Sequence, residues 1–128
     1  MDKEAVRTEE APAPYRGAPY SQAIKAGGLV FVSGQLALQA AADGLAGEGI
    51  AAQTEQVFAN LRAILDAAGS SLDRIVKTTV YLRDLGDFEE MNAVYRKYVG
   101  ELPPARATIE VSALPSGALV EIDAIALA

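Results

Sequence analysis

At 128 residues and 13.4 kDa, with 51% apolar residues, the chain is sized for one domain with a substantial core. A net charge of −6 and an isoelectric point near 4.6 leave no chain-wide basic surface for the phosphate neutralisation on which nonspecific nucleic-acid binding depends. Cysteine and histidine are both absent, which excludes disulfides, thiolate nucleophiles, zinc–thiolate sites, Ser-His-Asp and Cys-His mechanisms and the usual neutral-pH proton shuttle.

Residues 1–13 hold six charged groups and no apolar periodicity, and are expected to form a flexible tail ahead of a single domain over 14–128. This end of the chain has no apolar signal-like run, and no segment approaches the ~18 apolar residues of a membrane span, so the expectation is a soluble cytoplasmic protein without membrane contact. "YSQAIKAG" and "LVFVSG" are strand-compatible runs around a Gly27-Gly28 turn. "QLALQAAADGLAGEG" reads as a loop with a short strand near Leu45. From Ile50 to Ala68 the apolar positions Val57, Phe58, Leu61, Ile64, Leu65 and Ala68 recur at helical spacing, and Gly69 supplies the stop. "IVKTTVYLRD" is dense in β-branched residues and predicts a strand. Asp87 followed by Glu90 resembles a capping box opening a helix that buries Phe88, Met91, Tyr95 and Tyr98. "ARATIEV" and "ALVEIDAIALA" predict two strands, and the Pro and Gly of the intervening "SALPSG" suggest a hairpin. The order strand, strand, helix, strand, helix, strand, strand points to an α+β layer with two helices on one face of a sheet.

Strand alternation places Arg106, Thr108 and Glu110 on one face of their strand, and Leu119, Glu121, Asp123 and Ile125 together in the next. If the two strands pair as a hairpin with their apolar faces under the helices, Arg106 and Glu121 share the face turned away from the helices. Such a pair has two readings. One is an exposed cross-strand ion pair contributing ~0.2–1 kcal/mol. The other is a site in which the guanidinium grips a substrate carboxylate bidentately while the glutamate handles protons or water.

The segments "APYSQAIKAGGLVFVSGQ", "IVKTTVYLRDLGDFEEMNAVY" and "PPARATIEVSALPSGALVEIDAIA" resemble the RidA family, also called YjgF/YER057c/UK114, whose members are enamine/imine deaminases. The resemblance runs from about Pro19 to Ala126, and P-A-R with a downstream V-E-I-[DE]-A-I-A is its most specific part. It implies a chorismate-mutase-like (YjgF-like) α+β fold with a mixed β-sheet and two helices on one face. It also implies a homotrimer with a central β-barrel, and sites in clefts between subunits. It implies no cofactor and no metal, and a small imino or 2-oxo acid as ligand.

In the family the arginine matching Arg106 binds the substrate carboxylate, and the glutamate matching Glu121 positions or activates the water that attacks the imine carbon. Tyr20 in "PYSQA" matches a tyrosine near the substrate nitrogen, although by pattern it is equally a half-buried strand tyrosine. Ser33 in "VSGQ" matches a pocket serine, and by pattern is as readily a strand end. Asn92 matches a helix asparagine at the cleft; by pattern it is a surface or interface hydrogen-bonding residue. Thr108 stands where many relatives have cysteine, so its backbone is left to contact the carboxylate and thiol-dependent behaviour is excluded. The loop 37–49 departs from the family pattern in lacking a Pro-x-x-Gly turn.

Three functions follow from the resemblance. They are hydrolysis of 2-aminoacrylate-derived 2-iminopropanoate or of 2-iminobutanoate to 2-oxo acids and ammonia, 2-oxo-acid sensing without turnover, and the ribonuclease or translation-inhibitor activity for which some relatives were named. The water-directing Glu121 favours the first, and the acidic, histidine-free composition disfavours the third.

Overall fold

Gly27 and Gly28 adopt positive φ of 60° and 79°, the backbone of a tight hairpin turn, and join β2 (Ala23–Ala26) to β3 (Leu29–Gln35). This is the first of the sequence signals to appear in the computed structural model, which describes residues 2–128. The β-branched run forms β6 (Ile75–Leu82), and the last two predicted strands form β7 (Ala105–Glu110) and β8 (Val120–Leu127). The helical stripe forms α1 (Ile50–Ala67), and the second amphipathic segment forms α2 (Phe88–Val99).

Val57, Phe58, Leu61, Ile64 and Leu65 of α1 are wholly buried, against Val30, Val80, Leu82, Val120 and Ile122 of the sheet. Each such burial contributes ~1.5–3 kcal/mol. The Gly49 N-cap of α1 offers no side-chain acceptor, a loss of only a few tenths of a kcal/mol, so the stripe decides that the helix forms. Lys97 and Tyr98 of α2 both donate to the Glu55 carboxylate of α1 and tie the helices together. Among the described residues no helix is long and apolar enough to cross a membrane.

The sheet differs from expectation in its pairing. β7 lies parallel to β6 at one edge, while β8 runs antiparallel between β3 and β6. The hairpin expected between β7 and β8 is therefore not formed. β6, α2 and β7 make a strand–helix–strand crossover, the connection that parallel neighbours need. β8, apolar at every second residue, takes an interior position, and β7, with Arg106, Thr108 and Glu110, takes the edge.

Three smaller points follow: two corrections, and in the loop the expected short strand near Leu45, which is present as part of a hairpin. The expected tail is ordered in part: β1 (Glu4–Val6) pairs with β2, and Val6 and Ala11 are buried; Met1 lies outside the described residues. The Gln22 amide holds this segment, accepting from the Thr8 N–H and donating to the carbonyls of Thr8, Ala11 and Pro12. A three-residue strand, Glu4-Ala5-Val6 in a charge-rich segment, is too short to carry a periodicity by which to recognise it. The alanine- and glycine-rich loop contains a small hairpin, β4 (Leu38–Gln39) with β5 (Ala42–Leu45), whose base is fixed by Asn60 donating to the carbonyls of Leu36 and Leu38. The capping box is absent. The chain enters α2 through a 3-10 turn, which puts Asp87 at φ −86° and ψ 2° rather than in the extended conformation a side-chain cap requires. The turn is held instead by Asp84 accepting from the Gly86 N–H and Glu110 accepting from the Leu85 N–H.

Candidate active site

The register of β6 with both neighbours fixes which way each candidate points. Thr78 lies opposite Arg106 on one side and Ala124 on the other, and its hydroxyl hydrogen-bonds the Tyr95 hydroxyl of α2 at 2.7 Å. Directly opposed residues share a face, so Arg106 and its strand-mate Thr108 face the helix layer. Tyr81 lies opposite both Ile109 and Glu121, and this row faces away from the helices. Arg106 and Glu121 of one chain are thus on opposite faces of the sheet, contrary to the expectation drawn from a hairpin. The apolar alternation of Ala105, Ala107 and Ile109 suggested a core face; in the structure Ala105, Ala107 and Ile109 are exposed on the side without helices.

On the helix side, Arg106 is half-buried at the sheet edge, its guanidinium carbon 4.7 Å from the Tyr95 ring centre and 5.5 Å from that of Phe88. Among the described residues no carboxylate forms a salt bridge with it. Asn92, on α2 one turn from both rings, has a buried Oδ1 without a hydrogen-bond partner. A buried amide oxygen left unpaired costs ~1–3 kcal/mol, so this atom is a place for an incoming donor. Arg106, Asn92 and Thr108 therefore belong to one locality.

On the other side, the Glu121 carboxylate lies over a bulge in β3 between Val32 and Gln35, where Ser33 and Gly34 oppose β8. A Cβ placed on Gly34 would sit 2.2 Å from Glu121 Oε2. Burial, and then the charge of Asp123 two residues along, raise the proton affinity of Glu121 above that of an ordinary carboxyl. Tyr81 donates to Asp123 Oδ2 at 3.0 Å. Tyr20 shares a small cavity of about 20 Å³ with Gly34, and its phenol oxygen accepts the Tyr15 N–H at 2.6 Å, which leaves the phenol proton free to be donated. Ser33 donates its hydroxyl to the Ser21 carbonyl at 2.6 Å and keeps only acceptor capacity. A cavity of about 770 Å³ beside the N-terminal segment is lined in part by Tyr20 but not by Arg106 or Glu121, so volume alone does not mark the charged groups.

The six candidates thus divide into two half-sites: Tyr20, Ser33 and Glu121 on one, Arg106, Asn92 and Thr108 on the other. Residues the sequence did not single out for the site are Gly34, Tyr81 and Asp123 beside Glu121, and Phe88 and Tyr95 beneath Arg106. The last two were legible only as core positions of a helical stripe.

Gly34→Ala tests the close approach. Gly34 does not have a positive φ, so alanine fits the backbone, and the clash is with the mobile end of a side chain. The variant should fold with a melting temperature near wild type while its Glu121 carboxylate is displaced. Were Glu121 a catalytic group, misplacement on this scale would cost on the order of 100-fold in kcat. Unchanged kcat would show that the position of the carboxylate is immaterial.

The architecture, a mixed sheet backed by two helices, is shared with solved relatives. RidA from Psychrobacter matches at TM-score 0.92 and 45% identity over 98% of this chain and 99% of that one. Escherichia coli TdcF, solved with bound serine, matches at TM-score 0.91 and 32% identity over 98% of each. A RutC family protein of Pyrococcus horikoshii is 50% identical over 97% of each chain. Reactive Intermediate Deaminase A, chloroplastic, of Arabidopsis thaliana is 48% identical over 98% of this chain and 66% of that one. The profile of the family described as Endoribonuclease L-PSP matches residues 8–128. This chain belongs to that family, the YjgF/RidA family.

Proposed function

We propose that the protein hydrolyses small 2-imino acids, such as 2-iminopropanoate and 2-iminobutanoate, to 2-oxo acids and ammonia. It would do so as a homotrimer whose sites lie between copies. The observation that carries this reading is the state of Arg106: a half-buried guanidinium over two aromatic rings with, among the described residues, no carboxylate paired to it. A fixed cationic fork of this kind suits a planar carboxylate supplied by a ligand. A relative solved with bound serine, which carries a carboxylate, and a relative named Reactive Intermediate Deaminase A support this reading.

Arg106 and Glu121 look away from each other across one sheet, so a single chain cannot close both on one small molecule. Two copies can, if the Glu121 face of one meets the Arg106 edge of the next. The uncovered face supports such packing, since Phe31 and Ile109 are 42% and 45% exposed there. The β-barrel expected at the trimer centre would be built from these faces.

In the closed site Arg106 holds the carboxylate and directs C2 toward Glu121. Glu121 takes a proton from water as the water oxygen bonds to C2, and the C=N electrons move to nitrogen. That proton passes to the nitrogen, giving a carbinolamine; the hydroxyl proton then moves to the nitrogen as the O–H electrons form C=O and the C–N bond breaks, releasing ammonia and leaving the 2-oxo acid. Asn92 Oδ1 can accept from the substrate nitrogen, and the Tyr20 phenol can donate a proton to it. An imine carbon is already electrophilic, so orientation, a proton acceptor and a dry cleft suffice without histidine.

The test is to generate the imino acids in situ with an amino-acid oxidase and follow their disappearance. Wild type should accelerate it. No acceleration with several imino acids would leave the protein as a 2-oxo-acid binder. The ribonuclease reading has less support, from a chain of net charge −6 with no histidine.

A further inference from the structure

We infer that Tyr95 and Phe88 are positioning residues for the carboxylate clamp: their ring faces hold the Arg106 guanidinium in place without occupying any of its N–H donors. This rests on the reading of Arg106 as the carboxylate-binding group.

A guanidinium has five N–H donors in a fixed plane. A protein carboxylate used to orient it would occupy two of them and cancel its charge. A ring face attracts the cation through the aromatic quadrupole and takes no donor. At 4.7 Å and 5.5 Å from the two ring centres, Arg106 is within range of both.

Tyr95 is itself held on two sides. Its hydroxyl bonds Thr78, the residue directly opposite Arg106 in the neighbouring strand, so the ring is anchored at the level where the guanidinium emerges. Its ring meets the fully buried Phe58 edge-on, with centres 5.4 Å apart and planes at 80°. Phe88 stands seven residues earlier on α2, about two turns away on the same face. The platform thus links the first turn of α2, the core and the strand register to a single side chain, and explains how an arginine on an edge strand keeps one orientation.

The measurement is binding of pyruvate and of its neutral ester, methyl pyruvate, followed by NMR titration. It is paired with kcat and KM for 2-iminopropanoate hydrolysis. Phe88→Leu and Tyr95→Leu remove one ring each, and Phe88 is only half-buried, so its variant folds even if the Tyr95 variant does not. Each should weaken pyruvate binding and raise KM by about 2- to 30-fold, with kcat little changed. Methyl pyruvate binding should be unaffected. Pyruvate binding unchanged in Phe88→Leu and Tyr95→Leu would overturn the inference, as would equal loss of acid and ester, which marks a general packing defect. If Arg106→Ala still binds pyruvate as wild type does, both this inference and the clamp on which it rests fail. If Arg106→Ala loses pyruvate while the ring variants keep it, only the platform fails.

Discussion

Arg106→Ala is expected to abolish the acceleration of imino-acid hydrolysis while leaving the fold intact. The side chain sits half-exposed at a sheet edge, makes no salt bridge among the described residues and lies outside the apolar core, so its loss costs little stability. Its expected role is two charge-assisted hydrogen bonds to the substrate carboxylate, each worth ~1.5–3 kcal/mol. Removing both corresponds to roughly 100-fold or more in kcat/KM, much of it in KM, because the carboxylate is bound in the ground state as well as in the transition state. Lysine should recover only part, as it keeps the charge but not the fork. An Arg106→Ala protein with wild-type kcat/KM would remove the anion clamp from the mechanism.

Glu121→Gln should behave in the opposite sense. The amide preserves shape, so binding of a 2-oxo acid should persist, while loss of the proton acceptor lowers kcat by about 100- to 10,000-fold. The pH profile carries a second signature. Burial and the neighbouring Asp123 charge raise the Glu121 value above the ordinary carboxyl value of 4.5. The active form is the carboxylate, so wild-type activity should fall as pH drops through a value higher than 4.5, and that limb should vanish in Glu121→Gln. A variant that loses pyruvate affinity as completely as turnover would assign Glu121 to binding instead.

The parts of the fold that could be read in the sequence are those whose causes are local. The α1 stripe repeats at helical spacing, Gly27-Gly28 permits only a few turns, and the β-branched Ile75–Leu82 run suits an interior strand. The neighbours of β7 could not be read, because pairing is a long-range choice and two partners were open to a strand following a helix. A Pro and Gly turn between β7 and β8 favoured the hairpin, while the crossover through α2 won. The error propagated, since the face on which Arg106 lies is set by its register with Thr78 and not by its own alternation. Residue identities behaved differently. Arg106 and Glu121 were singled out by family resemblance, pattern alone allowing a simple ion pair that the observed faces rule out within one chain. The closeness of Gly34 to Glu121 and the place of Tyr95 beneath Arg106 could not be read, because a glycine beside a carboxylate and a tyrosine beneath a guanidinium exist only once the strands are paired.

The central claim is that the two charged groups serve one ligand from two different copies of the chain. It is tested most directly by refolding an equal mixture of Arg106→Ala and Glu121→Gln chains, each nearly inactive alone. In a closed ring of copies, random mixing puts an intact Arg106 beside an intact Glu121 at about a quarter of the interfaces, so the mixture should regain about a quarter of wild-type activity. Mixed oligomers, verified by native mass spectrometry, that are no more active than the two variants apart would contradict the account.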